Sequence, residues 1–180
     1  MTREPKKTIE QVIAEVGRYP MEAYQFMREG LGYTVETVHG QEDAIERRIY
    51  KLMQERDLDL AELERMYQAG ELDEQMTRYL KERGGPDAIN RHVTGQELCW
   101  GLRELALRRW GLLARTVLKG WNITETTDFG RIVFALVENG FLRKEPQDKL
   151  EDFQDVYDFE VAFDQSFQLG SADHINSADE

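Results

Sequence analysis

The chain has 180 residues, enough for one compact domain or two small ones. Apolar residues make up 41%, with eight Phe, seven Tyr and three Trp, so a core can be filled; no apolar run approaches the ~20 residues of a membrane-spanning helix. The net charge of −12 is unevenly placed: residues 145–180 hold eleven acids and one lysine, a net of −10, and the first 144 residues are nearly neutral. Such an end disfavours nucleic acid and anionic lipid and favours basic partners or plain solubility.

The start, MTREPKKTIEQVIAEVG, is basic but has no long apolar stretch and no small-residue cleavage site, so no signal peptide is expected. Thr8 and Gln11 fit a capping box, and Ile9, Val12, Ile13 and Val16 give the stripe of a short helix that Gly17 ends. Pro20 can open the next helix, whose apolar stripe is Tyr24, Met27, Leu31, Val35 and Val38. Gly30 and Gly32 interrupt that stripe, which predicts a kink or a close helix contact.

The segment from Gln41 to Arg83 has a different texture, with twenty charged residues of mixed sign among forty-three. Three amphipathic helices are expected, on Ile45 to Met53, Ala61 to Tyr67 and Leu72 to Leu80, before Gly84-Gly85-Pro86 breaks the pattern. No heptad survives those breaks, so a helical insertion or arm is expected rather than a coiled coil.

Thr94 and Glu97 fit a second capping box for a helix reaching about Arg109, with a shorter one from Leu112 to Lys119. Thr126 or Thr127 can cap a third, buried through Ile132, Val133, Leu136 and Val137 and ended by Gly140. Its outward residues are expected to be Asp128, Arg131, Glu138 and Asn139. Phe141-Leu142 and Val156 to Phe163 are strand candidates, because Tyr157, Phe159 and Phe163 fall on one phase of a period of two. Phe159 is then expected to be buried against Ile132 and Leu136, with the acids between the aromatics facing water.

Chemical motifs are sparse. His39, His92 and His174 lack metal-ligand spacing, and Cys99, the single cysteine, has no CxxC partner; it fits a small core residue in a reducing cytoplasm. The carboxylates from Glu151 to Asp164 lack the spacing of a calcium loop. No GxGxxG, GxxxxGK[ST] or GxSxG occurs.

Three strings carry a resemblance: YPMEAYQFMREGLGYTV (Tyr19 to Val35), RHVTGQELCWGLRELALRRWGLLARTVLKGWNITETTDFGRIVFALVENGFL (Arg91 to Leu142) and EDFQDVYDFEVAF (Glu151 to Phe163). Together they resemble the Minf-type family, which is largely restricted to Planctomycetes and Verrucomicrobia. That resemblance implies no activity, cofactor or catalytic residue, and the stretch from Gln41 to Ala88 departs from the family's compact pattern.

The resulting expectation is a mainly α (α+β) protein, a helical body with a winged-helix-like C-terminal half and a small β-hairpin. Residues 1–40 pack on the core, 41–90 form the charged arm, 91–165 the winged-helix-like core, and 166–180 a disordered acidic tail. The function expected is a non-enzymatic protein–protein interaction or regulatory module in the cytoplasm, with no cofactor or metal and with a basic protein as partner. Its candidate partner-binding residues are Asp155, Asp158, Glu160 and Asp164. The alternative is a nucleic-acid- or ribosome-associated factor using the helical core. An enzyme with a site drawn from Glu97, Arg103, Asp128 and Arg131 is a third reading.

Overall fold

The computed structural model describes residues 7–142 and 144–165; the expected acidic tail, 166–180, and His174 within it lie outside them. The described chain is built of eight α-helices: α1 Ile9–Val16, α2 Met21–His39, α3 Ala44–Arg56, α4 Leu60–Ala69, α5 Glu74–Glu82, α6 Gly95–Trp110, α7 Ala114–Gly120 and α8 Thr126–Glu138. Local chemistry sets many of these boundaries. Thr8 with Gln11 and Thr94 with Glu97 form reciprocal capping boxes, and Asp43, Asp59 and Asp73 cap α3, α4 and α5. At the end of α8, Gly140 takes φ 80° and the Phe141 N–H donates back to Leu136 O at 2.9 Å, which closes the helix on a left-handed residue.

The body is assembled on the crossing of α2 with α6. Gly30 faces the Leu102 side chain and Gly101 faces Thr34, so neither position has room for a methyl group. Thr34 is buried and donates its hydroxyl hydrogen to Gly30 O at 2.7 Å. The glycines of the stripe therefore mark a close helix contact. α8 lies across this pair, with Phe129, Ile132 and Leu136 in a core shared with Phe26, Met27, Leu98, Leu102 and Leu118. Phe26, Trp110 and Trp121 form an aromatic triangle at one end, with ring centroids 5.1–5.8 Å apart.

Residues 43–89 bury a separate cluster, built on Ile49, Leu63, Tyr79, Leu80 and Ile89. The chain leaves the body and returns at one place: His39 Nε2 is 2.9 Å from His92 O, and the Arg91 guanidinium donates to Gly40 O. A short linker could span that gap. Replacing residues 41–90 by a short Gly/Ser linker should leave a body that still melts cooperatively by circular dichroism; a broad, non-cooperative melt would place the arm in the body's folding unit.

The winged-helix and β-hairpin expectations are not supported, since the described residues contain no strand. Phe141 and Leu142 are tied back to the end of α8 through Leu136 O. Leu150–Phe153 is a 3-10 turn, and Val161–Gln165 is a π-type turn. The spacing of the aromatics explains the error. Phe159 and Phe163 are four apart and are buried with Ala162, which fits one helical turn as well as alternate strand positions. Val161 separates the two readings, because a strand phase that buries 157, 159 and 163 also buries 161, and Val161 is 52% exposed.

Candidate functional site

The four acids proposed from the sequence are all exposed but differ in their commitments. Asp155 is exposed and holds φ 49° in a turn. Asp158 Oδ1 accepts from the Val161 N–H at 2.8 Å, so it shapes the turn that follows. Glu160 and Asp164 both meet Arg115 of α7, Glu160 at 3.8 Å and Asp164 in a closer hydrogen-bonded pair. Asp148 and Asp152 likewise accept from backbone N–H groups, of Glu145 and Lys149, each at 2.8 Å. Much of the acidic crowding is turn chemistry, in which carboxylates satisfy backbone donors that no helix or sheet pairs.

Beside these acids stands a residue that the sequence reading did not single out. Trp100 of α6 is 50% exposed, and its ring lies 5.0 Å from that of Tyr157. Tyr157 donates its hydroxyl hydrogen to Cys99 O at 2.9 Å, which fixes the ring under Trp100. Arg103, one turn on, sits 5.7 Å from the Trp100 ring and donates from Nε to Ala162 O at 2.8 Å. The result is a platform: exposed Trp100 rests on half-buried Tyr157, which packs on buried Phe159 and Phe163, and the exposed Asp155, Asp158, Glu160 and Val161 belong to the same segment of chain. Phe159 is buried as expected, and the rings it meets are Phe129, Tyr157 and Phe163 at 5.1–5.9 Å. The sequence signal for Trp100 was its position off the Leu98–Leu102 stripe, which leaves a large aromatic on a wet face.

Asp128 corrects another expectation. It does not face outward but is 0% exposed. Its Oδ1 accepts from the Tyr19 hydroxyl at 2.6 Å, Arg131 at 2.7 Å and Arg18 at 2.8 Å, and its Oδ2 accepts from the Thr124 N–H at 2.9 Å. The cap of α8 is Glu125, not Thr126 or Thr127. Burial disfavours the Asp128 anion, yet the Thr124 N–H, the Tyr19 hydroxyl and the two guanidinium groups outweigh it and hold the carboxyl below its usual range. Burial, reinforced by Asp128, raises the Tyr19 phenol. Every strong acceptor direction of Asp128 is filled by the protein itself, which makes it a joint between the α1–α2 connection and α8.

Of the third reading's other residues, Arg131 meets Asp128, whereas Glu97 and Arg103 have their own partners elsewhere. Glu97 is spent on the Thr94 cap, accepting from its N–H at 2.8 Å, and Arg103 belongs to the Trp100 platform. Cys99 is fully buried and burial pushes its thiol up to about 12, so little thiolate forms near neutrality. His39 and His92 are brought together, though through a ring nitrogen and a backbone carbonyl. Among the described residues no group of three or more His, Cys, Asp or Glu side chains could hold a metal ion, and no helix is long and apolar enough to cross a membrane. No family model, curated protein or solved structure matches the chain.

Proposed function

We propose that the chain is a non-enzymatic protein-binding module whose contact face is the Trp100 platform and its rim of acids. The observation that carries this reading is the half-exposed Trp100, its ring 5.0 Å from that of Tyr157, which is itself tied to Cys99 O. Large aromatics at the centre of a patch with a polar rim are the usual anchors of protein interfaces. Asp155 and Glu160 give the rim a negative sign, which suits a basic segment carrying one apolar side chain for the Trp100 ring. The buried, high-pKa thiol of Cys99 and the saturated Asp128 support a role without catalysis. A cytoplasmic setting belongs to the same proposal and rests on that single free cysteine. Membership of the Minf-type family is also a proposal, carried by the long ordered strings that resemble it.

A nucleic-acid- or ribosome-associated role is the weaker reading. Arg109 of α6 and Arg115 of α7, cations that phosphate would need, pair instead with Glu29 and with Glu160 and Asp164.

Trp100→Ala and a double variant, Asp155→Lys with Glu160→Lys, test the face. The double charge variant should change stability by no more than about 1 kcal/mol, because both side chains are exposed, and Trp100→Ala by somewhat more, because half of the ring packs on Tyr157; thermal melts confirm that both variants fold before they are compared. Asp158 is left alone because its cap would confound the result. Pull-down from nuclease-treated native lysate should show a protein partner that both variants lose and that fades as salt rises. Capture unchanged by either variant would sink this reading, and a partner removed by the nuclease would favour the nucleic-acid alternative.

A further inference from the structure

We propose that residues 43–89 tilt as a rigid arm on the body, and that the buried ion pair between Glu46 and Arg91 is the latch that holds them. The arm and the body have separate cores: the cluster built on Ile49, Leu63 and Leu80 shares no residue with the one built on Met27, Leu102 and Phe129. Two chain passages join them, residues 40–43 and 90–94, and neither is helical. Gly40 takes φ 76°, with open space where a side chain would stand. Short connections of this kind are where a hinge absorbs backbone rotation.

Glu46 stands on α3, in the arm, and Arg91 on the returning chain. Their side chains are 11% and 10% exposed, and Arg91 Nη1 lies 3.4 Å from Glu46 Oε1. Arg91 Nη2 donates to Gly40 O, so one guanidinium ties together the outgoing chain, the returning chain and the first helix of the arm. The Tyr79 hydroxyl of α5 lies 3.5 Å from Glu46 Oε2. For so buried a pair the bonding is thin. Both contacts to Glu46 are long, and Arg91 Nε is buried and meets no acceptor among the described residues. Two charges taken out of water offset that cost only when the geometry is close and the remaining donors are satisfied. The latched position therefore gains little over one in which the arm tilts and water reaches both ions. Loss of one charge tips the balance. In Glu46→Gln the Arg91 guanidinium is left buried without an anion, and tilting the arm hydrates it.

Double electron–electron resonance on the full chain tests the latch. Spin labels go on Arg78→Cys in α5 and Glu104→Cys in α6, both exposed positions within helices; Cys99 is fully buried and stays unlabelled. With the latch intact the distance distribution should be narrow, with any displaced population below about 10%. Glu46→Gln should make the displaced population the larger one, while circular dichroism shows the helix content of the wild type. Arg48→Ala removes an ion pair with Asp73 inside the arm and should leave the distribution as it was. If Glu46→Gln loses helix content, Arg91→Met, which strands the Glu46 carboxylate instead, decides in its place. A distribution that is already broad with the latch intact, one that the latch variant leaves unmoved, or one that Arg48→Ala moves as far overturns the proposal.

Discussion

Asp128→Ala is expected to destabilise the fold by about 3–5 kcal/mol, the range for removing one partner of a buried charged network. That corresponds to a fall in Tm on the order of 10 °C for a chain of this size. The substitution strands the Tyr19 hydroxyl and the Thr124 N–H, both inside the joint, and it releases Arg18 and Arg131 from their shared acceptor. Asp128→Asn should be only partly better. An amide offers one acceptor oxygen, whereas Asp128 receives donors on both oxygens, so the amide N–H₂ must face donors in either orientation. Acid titration gives an independent readout. The folded-state carboxyl sits below its ordinary value of about 3.9. Its contribution is therefore fully present above the unfolded-state value and is lost as pH falls through the lower folded-state value. The wild-type melting temperature should drop more steeply through that acid range than that of Asp128→Ala. Parallel acid limbs for the two proteins would mean that Asp128 is not held as an anion by its neighbours.

The contrast between this joint and the helix caps shows which parts of the fold were legible in the sequence. The Thr8 and Thr94 boxes, the Gly17 and Gly140 stops and the three arm helices depend on residues within a few positions of one another, so the string itself contains their physics. The joint depends on Arg18 and Tyr19 meeting Asp128, residues separated by 110 and 109 positions, and no local signal announces it. An Asp in the first turn of a helix reads equally well as a solvated cap. The segment from Tyr157 to Phe163 failed for another reason: its apolar spacing is compatible with two periods. Only the outward Val161 and the lack of a partner strand among the described residues decide between them. At the candidate face, the acids were legible as charge but not as turn caps, and Trp100 was visible only as an aromatic off the apolar stripe.

Phe153→Ala is the second change with a large expected effect, about 3–5 kcal/mol as for other buried aromatics. Phe153 ends the Leu150–Phe153 turn and is buried against α6 and α8. Its ring lies edge-on to Phe134, with centroids 6.4 Å apart. Two glycines make the space. A methyl group at Gly130 would sit 2.8 Å from Phe153 Cγ, and one at Gly95 would sit 2.7 Å from Phe153 Cε2. Gly95 and Phe153 should therefore be coupled in a way that helix propensity alone does not predict. Gly95→Ala by itself favours helix but crowds the ring, and overpacking of this kind costs about 1–3 kcal/mol. In the Phe153→Ala background the ring atoms are gone, leaving the tolerable approach of Asp152 Cβ at 3.1 Å as the nearest remaining contact. There Gly95→Ala should be neutral or stabilising. A double-mutant cycle by urea denaturation should return a coupling of roughly 0.5–3 kcal/mol, with the double variant more stable than the sum of the singles predicts. Additive effects would mean that the ring moves aside at little cost, and the small residue at position 95 would then have no role in seating Phe153.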